Sequence, residues 1–175
     1  MKRTLLLAST LALVLMSTPL SAQTAPAPAA PCRDAPARQF DFWLGRWDVF
    51  LPDGSRAGAN RIEAVAGGCA LLEHWQGRGG FTGHSLNRYD PASARWQQWW
   101  VDSSGALLQL SGGWQDGRMV LSGESVEGAQ RRLERITWTP LPDGAVRQLW
   151  EQSTDGGRQW TVAFDGRYVR PRTAP

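Results

Sequence analysis

The sequence predicts an all-β protein, a single up-and-down antiparallel barrel of about ten strands with a short N-terminal helical turn. Short segments rich in Trp, Val, Leu, Ile and Thr follow one another at nearly even spacing, separated by turn-forming Gly, Asp and Pro. After Leu44 the apolar residues show no helical periodicity. A meander joined by tight turns closes most economically as a barrel, because closure removes exposed sheet edges. A two-sheet sandwich is the alternative, but it usually needs a longer crossing connection than the sequence offers.

The first residues are predicted to direct export. Met1-Lys2-Arg3 precede an apolar run from Thr4 to Met16, and small residues follow up to Ala22. This order is typical of a secretory signal peptide, assigned here to residues 1–22, although Leu20 leaves the exact cleavage bond open. The run is short for a membrane span, so a membrane anchor is the less favoured alternative. We therefore expect a periplasmic or secreted protein.

The remaining chain has the size of one ordinary domain, about 150 residues. Lys2 is the only lysine, and without Lys2 and Arg3 the positive and negative side chains nearly balance. The arginines are dispersed among Asp and Glu and form no basic run, which argues against a nucleic-acid partner. No later segment is apolar enough for a membrane span, and the oligomeric state is left open.

Residues 23–39 are predicted to form a tether and N-terminal arm before the barrel. Ala and Pro alternate through Pro31 without a hydrophobic pattern, which is typical of an extended, disordered segment. Cys32 and Cys69 are the only cysteines, and an exported protein meets an oxidising compartment. We therefore expect a disulfide between them, worth about 4 kcal/mol by chain entropy. A pair of free thiols is the alternative.

The run from Phe40 to Phe50 is predicted to begin the barrel, because it is the densest stretch of large apolar side chains after the tether. A short aromatic turn passes through Gly45 into an extended segment. Trp47, Val49 and Leu51 share one face of that segment, since side chains alternate along a strand. This face should form the floor of the core.

Turn signals divide the rest of the barrel domain, residues 40–170, into strands. Residues 171–175 are left as a C-terminal tail. The predicted strands are residues 46–51, 56–66, 69–76, 82–89, 95–101, 106–114, 118–124, 130–139, 145–153 and 158–169.

The start of the barrel resembles that of the lipocalin and calycin barrels. Phe40-Asp41 followed by Gly45-Arg46-Trp47 matches their aspartate-aromatic turn and GxW pair. In those families a basic side chain from the last strand stacks over the tryptophan and seals the closed end. The resemblance implies this role for Arg170 or Arg167, and Arg170 is preferred because it shares strand parity with Tyr168. Such a contact contributes roughly 0.5 to 2 kcal/mol.

The chain after residue 22 also resembles a family of exported bacterial proteins of unknown function. That family carries FDFWxGxW, then GGC followed by Glu-x-Trp, then SxDGGxxW, and these motifs match residues 40–47, 67–75 and 153–160 in the same order. The resemblance implies a barrel fold and brings no known activity.

The segment from Ser153 to Trp160 also fits the SxDxGxxW hairpin of sialidase propellers. In those hairpins the aspartate accepts backbone hydrogen bonds across the turn and the tryptophan packs beneath it, which implies the same structural roles for Asp155 and Trp160. A propeller repeats the motif once per blade, whereas this chain has one copy. We therefore expect a hairpin and not a glycosidase.

Polar residues alternate with tryptophans along several strands, which predicts a lined cavity. If these faces point inward, the barrel encloses aromatic walls and a few hydrogen-bonding groups, as small-molecule sites do. The opposite register would give a drier core, with Leu72, His74, Leu86, Trp99 and Leu149 inside. The predicted ligand-binding residues are Glu73, Trp75, Ser85, Asn87, Gln98, Trp100, Gln148 and Trp150.

Glu73 separates the functional hypotheses. A buried carboxyl needs a partner or a proton, and Arg132 or Arg135 on a later strand could supply the charge. We expect a protein that binds a small, partly apolar molecule. The less favoured alternative is an enzyme of isomerase or lyase type, with Glu73 as general base beside Asn87. A structural or partner-binding envelope protein with a filled barrel is the third hypothesis.

No metal or cofactor is expected. If residues 77–81 form a hairpin loop, His74 lies opposite His84 on one face, where the two could share a metal or a proton or simply be exposed neighbours. Two ligands without a third make a poor metal site. No histidine follows His84 to ligate haem, and the GxSxG nucleophile motif is absent.

Overall fold

The computed structural model describes residues 32–172. The predicted signal peptide, the tether up to Pro31 and residues 173–175 lie outside the described residues. Short 3₁₀ turns occur at Ala35–Arg38, Asp41–Trp43, Ala66–Gly68 and Arg78–Gly80. The strands are β1 (Gly45–Phe50), β2 (Arg56–Val65), β3 (Ala70–Gly77), β4 (Thr82–Asp90), β5 (Arg95–Asp102), β6 (Leu107–Gln115), β7 (Arg118–Glu127), β8 (Gln130–Pro140), β9 (Val146–Ser153) and β10 (Thr161–Val169).

Within residues 32–172, these ten strands form one closed barrel. Each strand pairs antiparallel with its neighbours in sequence, and β1 closes the sheet by pairing with β10 as well as β2. The predicted all-β barrel with an N-terminal helical turn is confirmed, and the two-sheet sandwich is not what the chain forms. Most strand bounds lie within one residue of the prediction, the exceptions being the end of β7 and the start of β10.

An aromatic plug closes the end of the barrel where β1 begins. It consists of Phe40, Trp43, Trp47, Trp96 and Trp138, all buried. Phe40 stacks on Trp43 with ring centroids 5.0 Å apart, and the indole N–H of Trp47 donates to the carbonyl of Trp43 at 2.8 Å. The guanidinium of Arg170 covers Trp47 from outside, 3.6 Å from the ring centroid. Bulky rings therefore fill this half of the barrel and leave the other half as the place for a cavity.

The N-terminal arm is fastened to this closed end. Cys32 and Cys69 form the expected disulfide, with Cα atoms 5.0 Å apart. Arg38 donates to the carbonyl of Gly68 at 3.2 Å, and Trp96 donates to the carbonyl of Pro36 at 3.2 Å. Residues 32–39, which the sequence places with the tether, thus pack against the barrel.

The β9–β10 hairpin has a turn held by one carboxylate. Asp155 Oδ1 accepts the backbone N–H groups of Arg158 and Gln159 at 2.9 and 3.0 Å and the hydroxyl of Ser153 at 2.8 Å. The guanidinium of Arg135 lies 4.0 Å from the Trp160 ring centroid on the outside of the barrel. Because these bonds keep residues 154–160 in a turn, β10 begins later than the sequence pattern predicts.

Side chains alternate between the interior of the barrel and its outer surface. The inward register is the one that carries Glu73 and Trp100, whereas Leu86 and Trp99 pair on the outer face. Among the described residues, no helix is long and apolar enough to cross a membrane.

Candidate functional site

A cavity of about 590 Å³ occupies the half of the barrel opposite the aromatic plug. This volume lies within the range of about 300–1,000 Å³ that small-molecule sites usually have. Strand ends and hairpins at this end of the barrel form the mouth of the cavity. The mouth residues include Leu51, Pro52, Arg78, Phe81, Asp102 and Val162.

The walls of the cavity are mostly aromatic. Trp75, Trp100, Trp150 and Phe164 line it, together with aliphatic side chains such as Ile136. Phe164 and Trp75 meet edge to face with ring centroids 6.0 Å apart. A molecule in the cavity would therefore bury most of its apolar surface against indole and phenyl rings. This burial contributes about 25 cal/mol per Å² to the free energy of binding.

Glycines on neighbouring strands make room for these rings. A Cβ at Gly83 would lie 2.2 Å from the Trp100 ring, so the ring packs against bare backbone. Gly58 lies under Trp75 and Gly166 under Phe164 in the same way. The rings thus lie close to the barrel wall and leave the centre of this half open.

Carboxylates hold the indoles of the wall by their N–H groups. Trp100 Nε1 donates to Asp102 Oδ2 at 3.1 Å, and Trp150 Nε1 donates to Glu134 Oε2 at 2.6 Å. Each bond fixes the orientation of its ring. Each also polarises the indole toward its π face, since hydrogen bonds in a low dielectric polarise their partners.

Glu73 lies at the inner surface of the cavity with only a few per cent of its surface exposed. Its Oε1 accepts from Asn60 Nδ2 at 2.7 Å, and its Oε2 accepts from the Ser85 hydroxyl at 2.6 Å. Behind Ser85, Asn87 donates to the Ser85 oxygen at 2.8 Å and Gln98 donates to Asn87 Oδ1 at 2.8 Å. Every donor in this chain of hydrogen bonds points toward the carboxyl group.

Burial raises the pKa of Glu73 to about 7, against the opposing effect of the hydrogen bonds from Ser85 and Asn60. In the part of the chain that the structure describes, the hydrogen-bond partners of Glu73 are neutral, and no positive charge is among the causes of its pKa shift. The sequence suggested that Arg132 or Arg135 could supply a charge here, but no arginine is among the causes of the shift in the pKa of Glu73. The groups that act on the Glu73 carboxyl are Asn60 and Ser85, and Arg135 pairs with Glu151 at 3.1 Å.

Tyr168 and Gln148 continue the polar surface beside Glu73. The Tyr168 hydroxyl donates to Gln148 Oε1 and lies 3.5 Å from Asn60 Nδ2. Burial, with the nearby Glu73 as a second cause, raises the pKa of Tyr168 well above its ordinary value, so the phenol stays neutral. Gln148 therefore keeps its NH₂ group for other partners.

The structure brings most of the predicted ligand-binding residues to one cavity. Ser85 and Asn87 are buried behind Glu73 and Gln98 and support them without lining the cavity. The lining members of the predicted set are Glu73, Trp75, Gln98, Trp100, Gln148 and Trp150.

Glu134 is a buried carboxylate that the sequence reasoning missed. It accepts hydrogen bonds from Ser125 at 2.5 Å, from Trp150 and from Gln152 at 3.2 Å. Its signal was available in the sequence, because Glu134 shares strand parity with Ile136 and Trp138 of the core. Asn60 was missed for a different reason, since its face of β2 carries no tryptophan and no second amide or hydroxyl side chain that would mark it.

The histidines lie outside the barrel. His74 and His84 are opposite each other in the β3–β4 register, with ring centroids 5.1 Å apart. His74 Nε2 is 3.3 Å from Glu63, and burial, with Arg61 as a further cause, lowers the pKa of His74. Residues 32–172 contain no group of three or more His, Cys, Asp or Glu side chains that could hold a metal ion.

No family model and no curated protein matches this chain. Its function has therefore to be inferred from the geometry of the cavity.

Proposed function

We propose that this protein is exported and binds a small, partly apolar molecule inside the barrel. The observation that supports the proposal is a cavity of about 590 Å³ that combines tryptophan walls with the buried polar side chains of Glu73, Gln98 and Gln148. Binding sites for small molecules generally pair large apolar area with a few fixed polar groups. A structural protein of the third hypothesis would fill this space with side chains.

The ligand would place its polar end beside Glu73 and its apolar body among the tryptophans. Gln98 donates through Nε2 and leaves its carbonyl oxygen as an acceptor, whereas Gln148 accepts through Oε1 and leaves its NH₂ as a donor. The mouth includes the exposed apolar side chains of Phe81 and Val162. Apolar side chains thus line part of the wall from the tryptophans of the interior to the mouth.

Replacement of Trp100 tests the binding proposal, with Trp99 as a matched control. Trp100→Ala removes a cavity wall, and Trp99→Ala removes the neighbouring ring of the same strand from the outer face. Calorimetric titration with naphthylmethanol should give affinity weakened about tenfold or more in Trp100→Ala and nearly unchanged in Trp99→Ala. Equal affinity in both variants would show that the probe binds elsewhere.

Export is the second part of the proposal. The disulfide between Cys32 and Cys69 is suited to an oxidising compartment, and the sequence of residues 1–22 is typical of a signal peptide. The signal-peptide pattern and the disulfide also support the proposal that this chain belongs to the exported calycin-like family whose motifs it resembles. A fusion of residues 1–22 to alkaline phosphatase, which is active only after export, tests it against a fusion that starts at residue 23.

An enzyme is the second candidate, and the pKa of Glu73 favours it. A carboxyl with a pKa of about 7 next to a cavity is matched to general-base work near neutral pH. The substrate would be a small molecule with an acidic C–H, as in isomerase or lyase reactions. Glu73→Gln should abolish turnover while the binding of naphthylmethanol persists, and turnover that survives this change would exclude Glu73 as the base.

A further inference from the structure

The charge of the cavity is not balanced. The lining residues include the carboxyl groups of Glu73, Asp102 and Asp165, against the guanidinium of Arg78 at the mouth. Asp165 is paired with Arg147 at 2.7 Å, whereas within residues 32–172 the hydrogen-bond partners of Glu73 and Asp102 are neutral. Hydrogen bonds from Ser104 and Trp100 outweigh the effect of burial and hold the pKa of Asp102 below its usual value. The interior thus favours a positively charged occupant.

The tryptophan walls favour the same kind of occupant. Indole faces attract cations through their quadrupole, and aromatic cages are the usual device for binding organic ammonium ions. Trp100 and Trp150 each donate their N–H to a carboxylate. A donor bonded to an anion pushes electron density onto the ring, which strengthens the attraction of the face for a cation.

Glu73 has acceptor capacity left for such an ion. A carboxylate offers about four acceptor positions, and Asn60 and Ser85 occupy one on each oxygen. Gln98 Oε1 accepts no hydrogen bond from any residue in the range 32–172, while Gln98 Nε2 is held by Asn87. Two acceptors therefore lie at the polar end of the cavity, and an ammonium group has three donors to offer.

We propose that the cavity selects an organic ammonium ion with an aromatic or other apolar body. The ammonium group donates to Glu73 and to Gln98 Oε1, and the body lies among Trp75, Trp100 and Trp150. This inference rests on the proposed binding function and deepens it by naming the chemical class of the ligand. It is independent of whether the occupant is later transformed.

The charge state of Glu73 controls this selectivity. Its surroundings are Asn60 of β2, Ser85 of β4 and the titratable but neutral Tyr168 of β10, with Asp102 and Arg78 farther out at the mouth. Since its pKa is about 7, the carboxyl is ionised in mildly alkaline solution and protonated in mildly acid solution. The side chains of His74 and His84 pair on the outer face of the barrel and do not face Glu73.

The test compares naphthylmethylammonium, neutral naphthylmethanol and anionic naphthoate, all of similar shape, by calorimetric titration of the whole protein. At about pH 8 the cation should bind about tenfold more tightly than the neutral probe, and the anion should bind least. At about pH 5.5 the preference for the cation should shrink, because protonation removes the charge of Glu73. Glu73→Gln should show at both pH values a preference reduced to that of the unaltered protein at about pH 5.5, and it should still bind naphthylmethanol, while Glu63→Gln on the outer face should keep the full preference and its pH dependence.

The outcomes separate the two proposals. Binding of naphthylmethanol by the unaltered protein without a preference for the cation would overturn this inference and leave the binding function standing. Failure of every probe to bind would overturn both. If Glu73→Gln does not fold, the pH dependence of the unaltered protein decides, and a preference that is equal at about pH 5.5 and about pH 8 would contradict the assignment to Glu73.

Discussion

The guanidinium of Arg170 lies 3.6 Å from the centroid of the Trp47 ring and joins the segment that follows β10 to β1. Its Nη1 also donates to the carbonyl of Leu44 at 2.9 Å, just before β1 begins. Gly45 has a φ of 118°, and a Cβ there would lie 2.0 Å from the same nitrogen. The glycine of the GxW pair is thus required both by the backbone conformation and by the space that Arg170 occupies.

Arg170→Ala should lower the free energy of unfolding by about 1 kcal/mol, because the cation over the indole and the hydrogen bond to Leu44 are both lost. Urea denaturation followed by tryptophan fluorescence measures the change. Arg172→Ala, two residues farther along, is the control and should be neutral. An equal effect of the two substitutions would show that general charge, and not the contact with Trp47, is responsible.

Reduction of the disulfide between Cys32 and Cys69 should destabilise the barrel by about 4 kcal/mol or somewhat less, since the bond closes a long loop. The cysteines are 37 residues apart. Thermal unfolding with and without dithiothreitol measures the loss. A Cys32→Ser and Cys69→Ser double variant should be insensitive to the reductant, and a reductant effect that persists in it would point to another cause.

Glu73 should make the barrel less stable as pH rises. Its pKa is about 4.5 in the unfolded chain and about 7 in the folded one, so the folded state binds the extra proton between these values. Below about pH 4.5 Glu73 is protonated in both states and does not destabilise the fold. As the pH rises from there through about 7, the free energy of unfolding should fall by about 3 kcal/mol. Urea denaturation across this interval measures the slope.

Glu73→Gln should flatten this part of the pH profile, because an amide does not ionise. The control is Glu124→Gln, an exposed carboxylate paired with Arg131, which should keep the slope of the unaltered protein. An unchanged slope in Glu73→Gln would assign the pH dependence to other groups, such as His74.

Gly83→Ala should disturb the cavity, because the new Cβ would lie 2.2 Å from the Trp100 ring and force it toward the centre. We expect a loss of about 1–3 kcal/mol in stability together with weaker binding of naphthylmethanol. Gly113→Ala is the matched control, since no atom lies within 4 Å of its added Cβ. The two variants should behave alike only if Trp100 can move aside without entering the cavity.

The barrel was predictable from the sequence because its turns are marked by Gly, Asp and Pro and its strands alternate strictly. The predicted strand bounds are wrong where side-chain hydrogen bonds shorten a strand or where pairing with a neighbouring strand extends it. β10 starts at Thr161 because the Asp155 turn holds the preceding residues, and β7 runs on to Glu127 along β8. These effects depend on side-chain hydrogen bonds and on cross-strand partners, which local patterns do not encode.

The cavity was predictable only in part. Strand parity indicates which side chains share a face, and it correctly groups Glu73 with Trp75 on β3. It does not indicate which residues meet across the barrel, so the neutral partners of Glu73 could not be derived, and the sequence left a charged partner or a proton as the alternatives. Pairing of Asn60 with Glu73 depends on register and on diagonal contact between strands, which the sequence does not specify.

Within residues 32–172, Asn60 makes side-chain hydrogen bonds only through its amide nitrogen. Its Nδ2 serves Glu73, while its Oδ1 is buried and has no hydrogen-bond partner within residues 32–172. When Glu73 takes up a proton on Oε1, that oxygen becomes a donor and meets another donor in Nδ2, so a half-turn of the amide would bring the idle oxygen to it. The orientation of a single asparagine would then report, from outside the cavity, whether the carboxyl group within is charged.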